Sequence, residues 1–380
     1  MKKVIAFAAS LALCLPAAAG DRMDELLDTL RATHGFPGIS VAWVGADGDV
    51  QTRAAGLADP ETGAPMTPMT PMTPESRTLA ASIGKSFVAA SALALQAEGR
   101  LSLDAPLSDW LGSRDWFTRL PNGDGLTLRH LLTHTGGLPD HVDLPAFQGL
   151  FMSLGPDDPA PPPEALIALI LDAEPLFPVG EGWAYSDTGY LVAGLAIEAA
   201  AGQPWTEVAR GRFLVPLGLN DTEPSDSRML NRLAAGLTEI AGPEMRTLDP
   251  EGRAIFHPGL EGAGGGFVTT AADLAVWGRL LWSGRATEAP YLDEMLRGVE
   301  TETPGRTYGL AVVIDRTSTE GEVRGHGGWI PGYVGSLRYH PARDLAIAIQ
   351  INSDVGMLGP DGAFDRIEQA VANAILGLPK

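Results

Sequence analysis

The position of the strand-like segments constrains the fold of this 380-residue chain more than any other sequence feature. Alternating or continuous apolar residues, which are typical of β-strands, occur near both ends of the chain, and helical patterns fill the middle. The predicted strands cover residues 38–44, 50–56, 308–315, 322–325, 334–339 and 345–351, and the first two are joined by a turn at Asp47-Gly48. We therefore expect an α+β fold in which one antiparallel sheet is built from both termini and flanked by helices.

Helical periodicity defines the rest of the chain. The predicted helices cover residues 22–34, 82–98, 127–132, 164–172, 189–201, 205–214, 270–282 and 363–376. Roughly 360 residues beyond the first 20 are long for a single hydrophobic core, so we expect two lobes. Residues 21–75 and 255–380 would form an α/β lobe, and residues 76–254 would form an inserted, mostly helical lobe.

Residues 1–20 have the pattern of an export signal. A Met-Lys-Lys start precedes a short apolar run, and the small residues Pro-Ala-Ala-Ala-Gly follow at positions 16–20. This order predicts a secretory signal peptide cleaved near Ala19 or Gly20, and a periplasmic or secreted protein. Cys14 is the single cysteine of the chain, so the mature protein would contain no disulfide.

The charge of the chain argues against several classes of partner. The formal net charge is -20 at pH 7 and no basic cluster is present, which disfavours binding to nucleic acid or to anionic membranes. Beyond the signal, no stretch approaches the roughly 20 apolar residues of a membrane-spanning helix. The sequence leaves the oligomeric state open.

Residues 65–74 contain the tripeptide Met-Thr-Pro three times. Proline at every third position is typical of an extended surface segment. We interpret the repeat as an expansion within a surface loop, because loops tolerate insertions. The alternative is a docking strip, which would make the chain a scaffold.

Lysine is nearly absent from the body of the chain. The sequence contains 27 Lys and Arg residues, of which only Lys2, Lys3, Lys85 and Lys380 are lysines. A buried ammonium group can lose its proton whereas a guanidinium cannot, so we expect Lys85 to serve chemistry that arginine cannot provide. Ser82 lies three residues earlier on the same helix face, as a candidate nucleophile beside its proton acceptor. The structural alternative is a helix-capping serine near an unrelated lysine.

A second candidate motif is Tyr185-Ser186-Asp187. A tyrosine whose pKa is lowered by a neighbouring ammonium group can act as a general base. The structural alternative for Tyr185 is a core aromatic residue with a hydrogen-bonded hydroxyl group, which is the commoner situation for tyrosine.

A third candidate motif, His326-Gly327-Gly328-Trp329, lies at the end of a predicted strand. The glycines allow a substrate backbone to lie against the strand edge, and the next N–H can point at an oxyanion. His130 and His134 are four residues apart, but no carboxylate pairing accompanies them, so both are interpreted as structural. We expect neither a metal nor another cofactor.

The order of these motifs resembles that of the penicillin-recognising serine hydrolases. This family includes class C β-lactamases, serine D-alanyl-D-alanine carboxypeptidases and related esterases. The resemblance extends over nearly the whole mature chain, and it includes residues 131–138 (LLTHTGGL), 185–190 (YSDTGY) and 325–333 (GHGGWIPGY). It implies a β-lactamase/transpeptidase-like fold, an α/β sandwich.

The resemblance also implies roles for the candidate residues. Ser82 is similar to the acylated nucleophile of the family, and Lys85 and Tyr185 are similar to the pair that carries its proton. The backbone N–H groups of Ser82 and Trp329 would form the oxyanion hole. The substrate-binding residues would be Gly327, Gly328, Trp329, Trp183 and Tyr333.

Two further catalytic positions, His326 and Asp187, differ from the commoner family pattern. His326 stands where the β-lactamases usually have a lysine and where certain carboxypeptidases and aminopeptidases have a histidine. Asp187 replaces a more usual asparagine, and a carboxylate offers only acceptors to a substrate. It could pair with Lys85 and raise the pKa of that amine, which would shift the role of base toward Tyr185.

From this resemblance we expect an exported serine hydrolase that acts through an acyl-enzyme on Ser82. The main expectation is a D-alanyl-D-alanine carboxypeptidase-like peptidase or a β-lactamase-related hydrolase, with a cell-wall peptide, an ester or another small molecule as substrate. One alternative is a small-ester esterase on the same fold. Another is a catalytically silent protein that binds wall peptides, because a shared fold alone does not determine function.

Overall fold

The computed structural model describes residues 19–60, 70–240, 242–287 and 290–378. The predicted signal peptide, except for its last two residues, lies outside these ranges, and so does half of the Met-Thr-Pro segment. No helix within the described ranges has the length and apolar character needed to cross a bilayer.

The described residues form eleven α-helices and fourteen β-strands. The helices are α1 (Ala19–His34), α2 (Lys85–Ala97), α3 (Ser108–Leu111), α4 (Leu128–Leu132), α5 (Pro145–Ser153), α6 (Pro163–Ile167), α7 (Asp187–Ala201), α8 (Trp205–Ala209), α9 (Ala271–Trp282), α10 (Leu292–Met295) and α11 (Phe364–Leu376). The strands are β1 (Gly38–Val44), β2 (Val50–Asp59), β3 (Thr70–Pro71), β4 (Thr78–Leu79), β5 (Glu223–Pro224), β6 (Leu237–Thr238), β7 (Met245–Arg246), β8 (Phe267–Thr269), β9 (Val299–Glu300), β10 (Arg306–Tyr308), β11 (Val313–Asp315), β12 (Val323–Ile330), β13 (Tyr333–His340) and β14 (Leu345–Ile351).

Nine of the strands form one antiparallel sheet in the order β3-β2-β1-β14-β13-β12-β11-β10-β9. The early strand β1 pairs with the last strand β14, and Ile39 lies opposite Ile351 in this register. The sheet is therefore built from both ends of the chain, and helices pack on it. This architecture confirms the α+β prediction. The short strands β4, β8 and β5 form a separate three-stranded sheet.

Strand β14 shows how the two faces of the sheet are filled. Its isoleucines, such as Ile347 and Ile349, join the core that contains residues of α1 and α11. Its alanines, Ala346 and Ala348, point to the opposite face and join the core that contains α9. This core also contains residues of α2 and α7, so it connects the sheet with the helices of the middle region. Because this one core includes residues from both predicted lobes, the boundaries between the lobes stay a prediction.

Two strand predictions are wrong in detail. Residues 308–315 form two strands, β10 and β11, because the intervening loop contains Ala311 with a positive φ of 55°. His326 does not lie at the end of a strand, because β12 continues through both following glycines to Ile330. Pairing with β13 along this whole segment stabilises a stretch that has low intrinsic strand propensity.

Three predicted helices change geometry along their length. The helix expected at residues 82–98 begins as a 3-10 turn, Ala81–Gly84, before α2. The helix expected at 164–172 is α-helical only through Ile167 and ends in a 3-10 turn, and the one at 205–214 continues after α8 as a π-helical turn. The remaining predicted helices are present, with ends that differ by a few residues.

Candidate active site

Ser82 lies on a strained turn that leads directly into α2. Ala81 has a positive φ of 49°, which is uncommon for a residue that carries a side chain. Close packing holds this turn in place: a Cβ atom on Gly84 would lie 2.3 Å from the carbonyl oxygen of Gly265, so position 84 accepts only glycine without rearrangement. Such strain persists where the surroundings determine the backbone, as is common for active-site turns.

The side chain of Lys85 is fully buried next to Ser82. Its Nζ atom lies 2.9 Å from Oγ of Ser82 and 2.5 Å from the carbonyl oxygen of Gly264, and it also donates to Asp187. Burial by itself would lower the pKa of this amine, but the carboxylate of Asp187 and, to a smaller extent, Tyr185 raise it above its usual value. Lys85 is therefore an ammonium group whose three N–H bonds each have an acceptor.

Asp187 is the first residue of α7, and the start of this helix is firmly anchored. Ser186 caps the helix by accepting a hydrogen bond of 3.2 Å from the N–H of Gly189. The N–H of Asp187 donates to Oδ2 of Asp140 at 2.8 Å. Burial and the nearby Asp187 carboxylate raise the pKa of Asp140 to about 6. The ion pair between Asp187 and Lys85 expected from the sequence is thus present and rigidly supported.

The ring of Tyr185 packs against the Lys85 ammonium group, with Nζ 4.9 Å from the centre of the ring. Its buried hydroxyl group faces Ser82 and Lys85, but it forms no hydrogen bond of good geometry with any residue in the described ranges. Burial raises the pKa of Tyr185 to about 12, although Lys85 acts in the opposite direction. The resting site therefore combines a neutral tyrosine with a charged lysine.

A cluster of aromatic rings surrounds Tyr185. The ring of His134 lies 4.2 Å from that of Tyr185 and 4.8 Å from that of Tyr308, measured between centroids. Nδ1 of His134 accepts a hydrogen bond of 3.1 Å from the N–H of Ser186, and burial keeps the pKa of His134 well below its usual value. His134 thus packs against Tyr185 as a neutral ring, which is consistent with the structural interpretation.

His326 is buried, and both of its ring nitrogens are hydrogen bonded. Nε2 lies 2.8 Å from the hydroxyl oxygen of Tyr308, and Nδ1 lies 2.6 Å from the carbonyl oxygen of Gly327. Burial and, after it, the charge of Lys85 lower the pKa of His326 to about 3. His326 is thus a buried ring with both nitrogens hydrogen bonded, and its catalytic role stays a prediction.

The glycine-rich part of β12 forms an open edge beside the Ser82 turn. Strand β11 pairs only with residues 323–325, which leaves residues 326–330 without a partner on that side among the described strands. A Cβ atom on Gly328 would lie 2.4 Å from the carbonyl oxygen of Ala80, so the strand directly contacts the turn that carries Ser82. The side chain of the next residue, Trp329, is 42% exposed, and its Nε1 donates to Asp354 at 3.0 Å.

The other two predicted substrate-binding residues differ in their placement. Trp183 packs on the aromatic cluster, with its ring 5.9 Å from that of Tyr308. Tyr333, in contrast, is only 1% exposed, and its hydroxyl group bonds to Thr247 and to the carbonyl oxygen of Ala234, each at 2.8 Å. Its side chain is part of a separate small core, so the expectation that it lines the pocket is wrong.

Sequence reasoning missed several residues of the site. None of them belongs to one of the three candidate motifs, and all lie more than 50 residues from Lys85 in the sequence: Tyr308, Asp140, Glu261 and the carbonyl group of Gly264. Oε2 of Glu261 is buried without a hydrogen-bond partner among the described residues, and burial raises the pKa of this carboxyl group to about 8. No group of three or more His, Asp or Glu residues in the described ranges is arranged to hold a metal ion.

Comparison with known proteins gives a consistent family. The family described as Beta-lactamase matches residues 23–372. The chain is 30% identical over 377 residues to the esterase EstB of Burkholderia gladioli, across 89% of this chain and 92% of the esterase. It is 25% identical over 326 residues to penicillin-binding protein 4* of Bacillus subtilis (strain 168), across 82% of this chain and 67% of that protein.

Solved structures share the architecture. A D-stereospecific amidohydrolase from Streptomyces sp. superposes with a TM-score of 0.76 at 28% identity, across 93% of this chain and 97% of the other. A D-amino acid amidase from Ochrobactrum anthropi SV3 superposes with a TM-score of 0.77 at 24% identity, which shows the fold alone. The family match covers nearly the whole chain, and the fold carries a serine next to a buried lysine. The chain therefore belongs to the beta-lactamase family and is a serine hydrolase.

Proposed function

We propose that this protein is an exported esterase that hydrolyses small esters without a free carboxylate, through an acyl-enzyme on Ser82. The observation that carries this proposal is the charge of the site. Lys85 is the only lysine in the described ranges, its charge is balanced by Asp187, and His326 is neutral. Within the described residues, a substrate carboxylate beside the open edge of β12 would therefore find neither an unpaired lysine nor a charged His326. The similarity to the esterase EstB supports the same choice.

The proposed mechanism begins with the loss of one proton from the Lys85–Tyr185 pair. Because Asp187 keeps Lys85 charged, this proton leaves Tyr185, and the ammonium group stabilises the resulting phenolate. The phenolate then takes the proton of Ser82 while Oγ attacks the ester carbonyl carbon. The N–H groups of Ser82 and Trp329 would stabilise the oxyanion.

The second half of the reaction returns the same proton. Tyr185 donates it to the leaving alkoxide as the carbon–oxygen bond breaks, which leaves the acyl group on Ser82. A water molecule then gives a proton to Tyr185 and attacks the acyl carbon, and Ser82 recovers its proton when the acid product departs. In the proposed cycle protons therefore move only among Tyr185, Ser82, the leaving alkoxide and water.

Neutral amides are a second candidate class of substrate. They also lack a carboxylate, and the amidohydrolase from Streptomyces sp. is similar in fold and sequence. Penicillins and D-alanyl-D-alanine peptides fit the site less well, because both carry a carboxylate. A silent binding function has less support, because the nucleophile, its lysine and its tyrosine are all in place.

The test is intact-mass analysis of the protein quenched during turnover of p-nitrophenyl butyrate. We expect a butyryl adduct on the wild type and none on Ser82→Ala. Ser91→Ala is the matched control, because Ser91 lies on α2 and bonds only to the carbonyl oxygen of Phe87. An adduct on Ser82→Ala would overturn the role of the nucleophile, and faster turnover of benzylpenicillin than of the ester would overturn the esterase assignment.

A further inference from the structure

A short segment that belongs to none of the three motifs, residues 139–141, contacts the start of α7. The hydroxyl group of Ser186 donates to the carbonyl oxygen of Pro139 at 3.3 Å. The N–H of His141 donates to Oγ1 of Thr188 at 2.8 Å, and its Nδ1 lies 2.9 Å from the same oxygen. The two outer residues of the segment therefore bond on either side of the first residue of α7.

Asp140, the middle residue of this segment, bonds to that first residue, Asp187. Oδ2 of Asp140 accepts the N–H of Asp187 at 2.8 Å, and Oδ1 accepts the N–H of Val142 at 3.2 Å. The N–H groups of a first helical turn have no acceptor within the helix, and the cap formed by Ser186 uses the N–H of Gly189 instead. Loss of Asp140 would therefore leave this cap in place but release the backbone of Asp187.

Asp187 is restrained through both its side chain and its backbone. Lys85 donates to the carbonyl oxygen of Gly264 at 2.5 Å, and a Cβ atom on Gly264 would lie only 3.2 Å from Oδ1 of Asp187. The carboxylate therefore packs against this loop, while the backbone is held by Asp140. A carboxylate that moved away would leave Lys85, whose Nζ also contacts Ser82, with a weaker partner.

The side chain of Asp140 is only 10% exposed, and the titratable groups that face it are Asp187, Lys85 and His141. Burial and the charge of Asp187 raise the pKa of Asp140 to about 6, whereas Lys85 opposes this shift. Burial lowers the pKa of His141 to about 4, so its ring is neutral near pH 7. Asparagine has one acceptor oxygen where aspartate has two, so only the carboxylate can bond both backbone N–H groups.

We infer that Asp140 is a positioning residue of the hydrolase, which holds Asp187 against Lys85 and so keeps the ammonium group next to Ser82. This inference rests on the roles that the proposed function gives to Lys85 and Asp187. Within the described ranges, Asp140 forms no hydrogen bond to Ser82, Lys85 or Tyr185, so it acts through Asp187. Its removal should therefore slow the chemical step and leave substrate binding unchanged.

The first test needs no variant. Hydrogen exchange of backbone amides, followed by NMR in the full wild-type protein, reports on the N–H of Asp187 directly. We expect the bond to Asp140 to slow this exchange by roughly 100-fold or more relative to an unstructured chain. Exchange at the unstructured rate would overturn the inference.

The second test measures ester hydrolysis by Asp140→Ala. We expect kcat for p-nitrophenyl butyrate to fall by roughly tenfold while KM stays within about twofold, because the alignment of the site is lost. Asp140→Asn keeps one acceptor oxygen, so its kcat should lie between those of the wild type and Asp140→Ala. Asp249→Ala is the matched control and should keep the kcat of the wild type. Oδ1 of Asp249 likewise accepts two backbone N–H groups, those of Glu251 and Arg253, at 3.0 and 2.8 Å.

A double-mutant cycle shows whether Asp140 acts through Asp187. In an Asp187→Asn background the carboxylate is already absent, so Asp140→Ala should lower kcat there by less than about threefold. Equal losses of kcat in both backgrounds, or the kcat of the wild type in Asp140→Ala, would overturn the inference. If Asp140→Ala does not fold, Asp140→Asn takes its place in the cycle, and the same two results overturn the inference.

The outcomes separate this inference from the proposed function. If the wild type hydrolyses no ester, the proposed function fails. The rate at which a fluorophosphonate probe labels Ser82, measured by intact mass, then decides the role of Asp140, because labelling needs an activated serine but no ester turnover. Slower labelling of Asp140→Ala than of the wild type and Asp249→Ala supports this role, and equal labelling contradicts it.

Discussion

The carboxylate of Asp187 holds the ammonium group of Lys85 in a buried ion pair at the side of Ser82. Asparagine at this position would leave the amine free to lose its proton, whereas aspartate opposes that loss. In the proposed mechanism Lys85 therefore stays a fixed cation, and Tyr185 accepts the proton of Ser82.

Replacing Asp187 with asparagine should shift the pH dependence of catalysis. In the wild type Tyr185 must lose a proton against its raised pKa of about 12, so kcat/KM should increase with pH into the alkaline range. Asp187→Asn removes a carboxylate that helps to raise the pKa of Tyr185, and should therefore move this increase to lower pH. Profiles of ester hydrolysis from pH 6 to 10 would show it. Identical profiles for both proteins would contradict the role assigned to Asp187.

Removing the hydroxyl group of Tyr185 should lower activity without lowering stability. Tyr185→Phe loses the proposed base, so kcat for a p-nitrophenyl ester should fall by about 100-fold or more. The buried hydroxyl has no hydrogen bond of good geometry in the resting site, so its loss should leave the Tm unchanged or slightly higher. A large decrease in Tm would instead indicate a structural tyrosine, the alternative that the sequence allowed.

Adjacent glycines of β12 should respond differently to alanine. A Cβ atom at position 328 would lie 2.4 Å from the carbonyl oxygen of Ala80, whereas the nearest atom to one at position 327 is 3.9 Å away. Gly328→Ala should therefore destabilise the fold by about 1–3 kcal/mol and move the strand edge away from Ser82. Gly327→Ala should keep the Tm of the wild type. The free energy of unfolding of both variants, measured by chemical denaturation, tests this contrast. An equal loss of stability in the two variants would contradict it.

Substitution of Glu261 by glutamine should increase stability in a pH-dependent way. The pKa of Glu261 is raised to about 8 in the folded state, so the folded protein binds a proton that the unfolded chain releases near pH 4.5. Ionisation therefore costs stability progressively as the pH rises from about 4.5 to 8. Glu261→Gln should match the wild type at pH 4 and exceed it by about 4–5 kcal/mol at pH 8.5. Urea denaturation at both pH values measures the difference, and an equal gain at pH 4 would point to another cause.

Much of the fold could be predicted from the sequence because local patterns encode it. The alternation of Ile and Ala in β14 indicates a strand whose two faces pack against different cores. The strand patterns near both ends of the chain likewise indicate one sheet built from both termini. The errors arose where long-range pairing overrides local preference, as in β12, where neighbouring strands support a glycine-rich segment. They also arose where a loop residue with positive φ, Ala311, divides an apolar run into two strands.

The sequence by itself determined which residue types meet at the site. These residues stand close together in three short motifs: a serine three residues before a lone lysine, a tyrosine two residues before an aspartate, and a histidine before two glycines. The chemistry available to each motif follows from its residue types. Only the tertiary structure decided their charges. Proton affinities depend on burial and on partners that are distant in the chain, such as Asp187 for Lys85 and Lys85 for His326. No local pattern records those contacts, because they form only when separate segments pack together.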